Sequence, residues 1–311
     1  MYLDTSPVGS HAQSSTAPDA QARKKEPREL KWQRQKIKQG RGTGSGPDYL
    51  PFLQIERTGF QSHGRSHLIF NQKIGRQHHL LSDLELLNFL LAWSLKPNDI
   101  REQFPLQAFD FDPQFSLLTP SARGSIQIAR DLGIRHPQIT RDCPRVMTTD
   151  LLVSFADGSH LAIHAKYSKE LSNSSDRAID LRAIERQYWL DRKAQFIVVN
   201  ENRFTRRLAD LMMWALDGMN WAEDPNCLEE ILAVIDQTPA HQSLGERLTY
   251  CSARLGMGKE IVVRAFKHAI LTRRWRPLHL DQEMDLSRPW PGRKSNVQSA
   301  ITARIAYGPR R

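Results

Sequence analysis

The positions of apolar and polar residues along the chain predict an α/β region followed by a region of helices alone. Residues 82–94 form a predicted helix that is apolar on almost all sides and begins with the capping sequence Ser82-Asp83-Leu84-Glu85. Short alternating or β-branched runs predict strands, and a longer amphipathic helix is predicted at residues 177–191. The predicted strands cover residues 100–106, 107–111, 146–155, 160–167 and 196–199.

The last predicted strand follows the amphipathic helix, so we expect a crossover connection within an α/β sheet. Beyond Asn200 the periodicity is helical. The turn Leu-Gly-Met-Gly between the final two helices is compatible with helix-turn-helix geometry, which allows either DNA readout or a purely structural helical core. These helices are predicted at residues 204–217, 226–237, 243–255 and 259–273.

Residues 146–167 predict a β-hairpin whose two strands share an apolar face. The odd-numbered residues are apolar in both strands, so the numbers of facing residues must add to an even value if both rows lie on one face. A three-residue loop at residues 157–159 satisfies this condition. The facing pairs that this register predicts include Asp150 with Lys166 and Leu152 with His164.

The positive charge of the chain is concentrated near its two ends. The sequence holds 44 Lys and Arg against 34 Asp and Glu, which gives a net charge of +10. Residues 23–41 contribute +7 and residues 286–311 contribute +6, whereas residues 42–285 are nearly neutral at −1. Such an excess of positive charge favours a nucleic-acid partner.

Changes in composition predict four regions along the chain. They are a disordered basic arm at residues 1–48, an α/β domain at residues 49–201, a helical domain at residues 202–285 and a basic tail, also disordered, at residues 286–311. We expect the arm and the tail to contact the phosphates of double-stranded DNA. The candidate contact residues are Arg23, Lys24, Lys25, Arg34, Lys36, Lys38, Arg293 and Lys294.

Cysteine usage and hydropathy exclude several classes of protein. Cys143, Cys227 and Cys251 are scattered and lack metal-ligand spacing, which argues against a zinc module or a secreted disulfide scaffold. The apolar stretch at residues 80–93 is too short and too polar to span a bilayer, and no hydrophobic signal segment opens the chain. We expect a cytoplasmic protein of a bacterial cell, associated with the nucleoid when active and without a membrane partner.

An Asp on one strand and an x-Lys on the next, with an acidic helix residue upstream, is the arrangement found in nucleases of the restriction-endonuclease fold. Here the three residues are Asp150, Lys166 and Glu85. Hard carboxylate oxygens suit Mg²⁺, which polarises a phosphate and helps to generate hydroxide, while an ammonium orients the water. Two plainer interpretations stay open: Asp150 and Lys166 form an ordinary cross-strand ion pair, and Glu85 completes the capping box of its helix.

Several longer strings carry a family resemblance. The chain contains, in order, LSDLELLNFLLAW, NDIREQFPL, HPQITRDCPRVMTTDLLVSF, LAIHAKYSKEL and RAIERQYW. In these strings and their spacing, residues 80–200 resemble the TnsA family, the endonuclease subunits of heteromeric bacterial transposases. The helical C-terminal part resembles the family more loosely.

The resemblance implies a restriction-endonuclease-like (PD-(D/E)xK) domain, followed by a winged-helix-like domain. Its active site would be Glu85, Asp150 and Lys166, with both carboxylates on Mg²⁺, for which Mn²⁺ would substitute, and Lys166 on the attacking water. The family cuts the 5′ ends of a transposable element, while a TnsB-type transposase cuts and joins the 3′ ends, so that the element moves by cut-and-paste. The C-terminal region would contact a TnsC-type AAA+ ATPase as well as DNA.

Position 164 departs from the family pattern. The wider nuclease superfamily has Asp or Glu two residues before the Lys, TnsA relatives often have Gln, and this chain has His164. Neutral imidazole is a poorer Mg²⁺ ligand than carboxylate. The expected metal contact is therefore the His164 side chain or an adjacent main-chain carbonyl, with a contact from His164 to DNA phosphate as the alternative, and the number of metals stays open.

Two further residues are candidates for supporting the site. Glu185 either supports the site near Lys166 or is a surface or helix-pairing residue. Arg101 and Glu102 form either a polar pair beside the site or an ordinary pair at the sheet edge, and we favour the structural interpretation.

Two rival functions also fit the sequence. One is an autonomous restriction-type DNA endonuclease, which would cleave without partners. The other is a catalytically inert adaptor that binds DNA and partner proteins, which His164 in place of the usual residue makes conceivable.

Overall fold

The computed structural model describes residues 26–55, 65–108, 122–221, 224–278 and 285–294. The helices are α1 (Arg28–Lys38), α2 (Asp83–Ser94), α3 (Ser125–Asp131), α4 (Ser168–Ser172), α5 (Asp176–Asp191), α6 (Arg206–Trp214), α7 (Pro225–Gln237), α8 (Leu244–Leu255) and α9 (Lys259–Leu271). The strands are β1 (His67–Asn71), β2 (Arg76–Leu80), β3 (Asp99–Pro105), β4 (Gln138–Thr140), β5 (Cys143–Pro144), β6 (Thr148–Ser154), β7 (His160–Ala165), β8 (Gln195–Val199), β9 (Trp275–Pro277) and β10 (Gly292–Lys294).

A four-stranded sheet in the order β3-β6-β7-β8 forms the centre of the α/β region. β6 is antiparallel to both of its neighbours, β3 and β7, whereas β8 is parallel to β7. The chain reaches β8 through α4 and α5, so the predicted crossover is confirmed. Part of the predicted strand at residues 107–111 lies outside the described residues.

The two faces of this sheet are covered by different helices. Leu151, Val153, Leu161 and Ile163 pack on the side of α2, within an apolar cluster that continues into α6 to α9. Leu152 and Ala162 pack on the other side, against Ile184, Tyr188 and Trp189 of α5. The helices beyond residue 201 thus share the core of the sheet region instead of enclosing a separate one.

The predicted helices of the C-terminal region are confirmed; α6, α8 and α9 are shorter than their periodicity suggested, and α7 begins one residue earlier. An antiparallel pair of strands, β9 and β10, follows α9 and was not predicted. Trp290, just before β10, is buried and its ring lies 5.5 Å from that of Trp275. The prediction of an unstructured tail from residue 286 is therefore wrong for residues 286–294, and residues 295–311 lie outside the described part.

The N-terminal arm was predicted to be disordered through residue 48, and this is wrong from residue 28 onward. α1 packs through Leu30 and Gln33, which are buried. The Gln33 amide donates to the carbonyl of Pro144 at 2.8 Å and accepts from the amide of Val146 at 2.9 Å. The Gln33 side chain thus satisfies two backbone groups, one at the end of β5 and one between β5 and β6. These hydrogen bonds hold α1 against the α/β region despite its many charged residues. Residues 1–25, with Arg23, Lys24 and Lys25, are outside the described residues.

The β6–β7 hairpin has the predicted apolar face but a different register. Leu151 faces Ile163 and Ser154 faces His160. The predicted pairing of Asp150 with Lys166 is therefore wrong, since the strands are displaced by two residues relative to it. Continuing the observed register brings Asp150 beside His164.

The loop explains this displacement. Its three residues are 156–158, because the amide of Phe155 donates to the carbonyl of Ser159 at 3.0 Å. Gly158 is then the last loop residue, with a φ of 76°, in the left-handed position that three-residue hairpin loops reserve for glycine. Asp157 accepts hydrogen bonds from the amide and hydroxyl of Ser159 and fixes the turn.

The hairpin of β1 and β2 joins the sheet through a buried ion pair. Both terminal guanidinium nitrogens of Arg76, on β2, donate hydrogen bonds of 2.8 Å to the carboxylate of Glu102 on β3. Nδ1 of His78 lies 2.9 Å from the same carboxylate. Burial by itself would raise the pKa of Glu102, but His78 and Arg76 outweigh it and hold this pKa at about 2. The sequence suggested a pair of Glu102 with Arg101. In the structure Glu102 pairs with Arg76 instead.

Candidate active site

Glu85, Asp150 and Lys166 line one cavity of about 340 Å³. The cavity lies where the first turn of α2 meets the start of β6 and the end of β7. One end of the sheet thus gathers side chains from three separate parts of the chain. The other lining residues are Leu53, Leu81, Ser82, Leu84, Gln103, Thr148, His164, Ala165, Tyr167 and Glu170.

Glu85 both belongs to the helix cap and faces the cavity. The hydroxyl of Ser82 accepts a hydrogen bond from the amide of Glu85 at 3.1 Å, as in a capping box, while the Glu85 carboxylate accepts from the amide of Leu81 at 2.9 Å. Burial, together with the nearby charge of Asp150, raises the pKa of Glu85 to about 8. The capping box is thus only half formed, since the Glu85 carboxylate bonds to the amide of Leu81 and not to that of Ser82, and the same carboxylate lines the cavity.

Asp150 projects from β6 towards the end of β7. One carboxylate oxygen, Oδ2, accepts a hydrogen bond from the amide of Ala165 at 2.7 Å, so the backbone of β7 orients it. Burial raises the pKa of Asp150 above its usual range, and Glu185 adds to the effect while His164 opposes it. Two carboxyl groups with raised pKa values in one cavity are a common sign of a functional site.

Gln103 was not singled out in the sequence, yet it joins the two carboxylates. Its Nε2 lies 3.4 Å from Oε2 of Glu85 and 3.3 Å from Oδ1 of Asp150. The residue is buried and has a φ of 48°. A glutamine within a strand pattern carries no signal of such a conformation, so only the folded structure identifies it.

His164 forms an ion pair with the carboxylate of Glu185. Nδ1 of His164 lies 2.9 Å from Oε2 of Glu185 and 4.0 Å from Oδ2 of Asp150. Although burial lowers the pKa of His164, the charge of Glu185 outweighs it and raises this pKa to about 9. A protonated imidazole has no lone pair for a metal, so this arrangement disfavours the His164 side chain as a ligand.

Glu185 contacts His164, whereas the ammonium of Lys166 pairs with Glu170. The other carboxylate oxygen of Glu185 accepts from the hydroxyl of Thr149 at 2.7 Å, and that hydroxyl accepts in turn from the indole nitrogen of Trp189 at 2.7 Å. Both α5 and β6 therefore hold Glu185 in place. Its burial excludes a surface position, and its hydrogen bond and ion pair are with residues of β6 and β7 instead of with another helix.

Lys166 follows the last residue of β7 and reaches the cavity from its open side. Its ammonium lies 2.5 Å from the carboxylate of Glu170, one turn further on in α4, and the side chain is about half exposed. The Lys166 amide donates to the carbonyl of Val199 at 2.9 Å, which fixes the backbone. Glu170 is the second cavity residue that the sequence did not reveal.

The carboxylate pair suits a hard divalent cation. Glu85 and Asp150 converge on one point, since a single amide nitrogen lies within 3.4 Å of both. Mg²⁺ is usually held by one or two carboxylates, with waters and substrate phosphates completing its shell. Two carboxylates are thus enough, although the described residues contain no group of three or more His, Cys, Asp or Glu side chains arranged to hold a metal by themselves.

Arg101 lies outside this cavity. Its guanidinium donates to the hydroxyl of Ser154 at 3.1 Å and approaches the carboxylate of Asp99 at 3.7 Å. The guanidinium also lies 5.0 Å from the centre of the Phe104 ring, and none of these contacts involves the carboxylates of the site. The structure therefore does not place Arg101 beside those carboxylates, and its contacts fit the structural interpretation that we favoured.

The candidate DNA contacts that the structure describes lie on α1 and β10. Arg34 forms a surface ion pair with Glu26 at 2.6 Å, and the ammonium of Lys36 lies 5.5 Å from the centre of the Phe52 ring. Lys38 and Arg293 are exposed. Lys294 is in β10, and the position of its side chain is outside the described part.

The comparison with known families bears on the segment that contains most of the site. Residues 98–201 match the family of TnsA-like endonuclease N-terminal domains. This segment is therefore similar to the N-terminal domains of TnsA-like endonucleases. It includes Gln103, Asp150, Lys166 and the pair of His164 with Glu185, while Glu85 precedes it.

A curated relative extends the similarity. The chain is 38% identical over 182 residues to the transposon Tn7 transposition protein TnsA of Escherichia coli. The aligned part covers 58% of this chain and 60% of that protein, so the chain spans about three fifths of the length of its relative. Among the described residues, no helix is long and apolar enough to cross a membrane.

Proposed function

We propose that this chain is a metal-dependent DNA endonuclease subunit that cuts the 5′ ends of a transposable element during cut-and-paste transposition. The observation that carries the proposal is the meeting of Glu85, Asp150 and Lys166 in one cavity of the TnsA-like domain. The relative is a transposition protein, which supports transposon ends as the DNA substrate.

In the proposed reaction Glu85 and Asp150 hold Mg²⁺, or Mn²⁺ in its place. The cation, when bound, polarises the scissile phosphate and lowers the pKa of a coordinated water. The amide of Ala165 keeps Asp150 turned towards the cavity. The main-chain carbonyl next to His164 remains the proposed additional ligand.

Lys166 is the proposed partner of the attacking water. Its ammonium is half exposed and bound to Glu170, so substrate entering the cavity meets a cation that is already oriented. A DNA phosphate brings negative charge that competes with Glu170 for this ammonium. The proposed role of Lys166 is to orient the water and to offset charge that develops on the phosphate.

The proposed partners are a TnsB-type transposase, which cuts and joins the 3′ ends, and a TnsC-type AAA+ ATPase. α7, α8, α9 and the β9–β10 hairpin form the C-terminal part of the chain. Three helices followed by a two-stranded hairpin are compatible with a winged-helix-like domain, which we propose as the contact surface for the ATPase and DNA.

The test is cleavage of a supercoiled donor that carries transposon ends, with the TnsB-type and TnsC-type partners and Mg²⁺. Asp150→Ala and Lys166→Ala are expected to abolish 5′-end cleavage and to retain 3′-end cleavage, since the transposase cuts the 3′ ends. Asp180→Ala and Lys169→Ala are matched controls on α5 and α4, and they should cut as the wild type does. Undiminished 5′ cutting by Asp150→Ala would refute the site.

The same assay separates the rival functions. An autonomous restriction-type endonuclease would cut when the partners are left out. An inert adaptor would leave the 5′ ends intact under every condition while it still supports 3′ cutting. The raised pKa of Glu85 reflects the free-energy cost of burying two carboxylates close together. Such clusters occur mainly at functional sites, so this one favours an enzyme over an inert adaptor.

A further inference from the structure

Gln103 has a backbone conformation that is unusual within a strand. Its φ is 48°, in the left-handed region that residues other than glycine adopt at a cost. On either side of it β3 pairs regularly with β6, where Glu102 faces Leu151 and Phe104 faces Thr149. The ladder has no pair at Gln103 itself, opposite Asp150. The local distortion of β3 thus coincides with the aspartate of the site.

This distortion turns the Gln103 side chain towards both carboxylates. Its amide nitrogen carries two hydrogens, and it lies within 3.4 Å of one oxygen of Glu85 and one oxygen of Asp150. The two carboxylates come from different elements, α2 and β6. One donor group therefore links the helix to the sheet at the point where the carboxylates meet.

A hydrogen bond on the side away from the carboxylates fixes the orientation of the Gln103 side-chain amide. Its Oε1 accepts a hydrogen bond from the hydroxyl of Thr148 at 3.1 Å. The main-chain carbonyl of Gln103 accepts from the amide of Phe52 at 3.3 Å, which holds the backbone at this position. A reversed amide would place Oε1 against two carboxylate oxygens, where all three atoms repel. Burial at 2% exposure leaves the side chain no solvent as an alternative partner.

We propose that Gln103 is a positioning residue that sets the separation of Glu85 and Asp150 so that a divalent cation can bind between them. The proposal rests on the metal-dependent function proposed above. Hydrogen-bond partners of metal-binding side chains orient those side chains, and their loss typically weakens metal affinity by about 10- to 100-fold. Residues in sparsely populated backbone conformations cluster at functional sites, and Gln103 is the one of the four such non-glycine residues in the described part that lies at this cavity.

The test measures Mn²⁺ binding to the full chain without DNA, by electron paramagnetic resonance and calorimetric titration. Gln103→Met keeps the size of the side chain and removes its donors, so Mn²⁺ affinity should fall by about tenfold or more. Gln107→Met is the matched control, because Gln107 is equally buried, follows closely in the chain and contacts Arg192 at 3.4 Å instead of the site. Its Mn²⁺ affinity should stay at the wild-type value.

Thermal melting in EDTA separates positioning from folding. If Gln103 acts by positioning, its methionine variant loses Mn²⁺ affinity without melting far below the Gln107→Met control. Should Gln103→Met not fold, Thr148→Val replaces it, because this change removes the hydroxyl that orients the amide, and a smaller loss of Mn²⁺ affinity is expected.

Three results would decide against the proposal. Wild-type Mn²⁺ affinity in Gln103→Met overturns it, and so does an equal loss in Gln107→Met. Absence of Mn²⁺ binding in the wild-type chain refutes the metal-dependent function itself, and the role of Gln103 fails with it. The first two results leave the proposed function standing, so the two failures are distinguishable.

Discussion

Two buried carboxylates of this protein, Glu102 and Glu185, are matched by cationic partners that lie far away in the sequence. Glu102 is fully buried and meets Arg76, 26 residues earlier, while Glu185 meets His164, 21 residues earlier. Removing one partner of such a pair leaves an uncompensated charge in a medium of low dielectric constant. The pairs therefore hold specific elements together, β2 with β3 and α5 with β7.

Glu102→Gln should destabilise the fold at neutral pH. The change leaves Arg76 buried without its countercharge, which costs about 3–5 kcal/mol in comparable buried pairs. Urea denaturation at pH 7 measures the loss, and Glu230→Gln, at an exposed position of α7, is the control that should leave the free energy of unfolding unchanged.

The pH dependence of this effect has a definite sign. The pKa of Glu102 in the folded protein, about 2, lies below its ordinary value of 4.5. Its contribution to stability is therefore complete above pH 4.5 and is lost as the pH falls from 4.5 towards 2. The difference between wild type and Glu102→Gln should narrow in that range, and a constant difference would contradict the pKa assignment.

The residues of the site differ in how far the sequence reveals them. Glu85, Asp150 and Lys166 were identified because carboxylates and a lysine recur at spacings that a known family shares. Gln103 was missed because its role depends on a left-handed backbone conformation, and glutamine has no preference that would signal one. Glu170 was missed because its contact with Lys166 depends on the short helix α4. The sequence pattern does not predict a helix at residues 168–172.

The β6–β7 hairpin shows which features of an element follow from a pattern. The alternation of apolar residues correctly predicted that both odd rows share one face, since Leu151 and Ile163 pack in the same cluster. The register depended on which loop residue adopts a positive φ, and alternation contains no information on that. Once Gly158 takes the last loop position, the strands are displaced by two residues and Asp150 lies beside His164.

Gly158→Ala should destabilise the hairpin modestly. A Cβ at this position meets nothing within 4 Å, so the cost is purely that of a left-handed alanine, about 1 kcal/mol. Urea denaturation measures it. Gly158→Asn is the control, because asparagine tolerates this conformation better and should lose less. An alanine variant as stable as the wild type would contradict the assigned loop.

Elements without strong periodicity were the ones the sequence did not reveal. β2 and α1 are rich in polar or charged residues, and they are held by specific partners such as Arg76 with Glu102 and Gln33 with Pro144. Helices with an apolar stripe, α5 and α7 to α9, were predicted because the stripe is the burial signal itself.

Part of the positive charge near the N-terminus lies on a helix, α1, that packs against the α/β region instead of on a disordered arm. Residues 23–41 carry +7 and residues 42–285 carry −1, yet from residue 28 onward the basic segment is a helix fixed to the body. Glu29 of α1 pairs with Arg145 at 2.6 Å, and Lys36 lies near Phe52, whose neighbour Leu53 lines the site. The basic helix therefore runs from the β5–β6 connection towards the cavity.

Point substitutions on α1 test this arrangement better than a deletion would. Removing residues 1–41 would also remove the buried Leu30 and Gln33, so a loss of DNA binding would have two explanations. Lys31→Ala with Lys38→Ala removes two exposed charges and preserves the helix, because alanine is the strongest helix former. The pair Lys73→Ala with Lys193→Ala removes the same charge from exposed positions elsewhere.

We expect the α1 double variant to bind duplex DNA more weakly than the wild type and with a smaller salt dependence. Each lysine that contacts a phosphate contributes about 0.9 to the slope of log K against log salt concentration, because its binding releases a condensed counterion. Fluorescence anisotropy in EDTA, from low to physiological salt, measures the slope without cleavage. If the α1 variant and the Lys73 and Lys193 control lose affinity and slope equally, the effect is one of net charge, and a specific path for DNA along α1 is refuted.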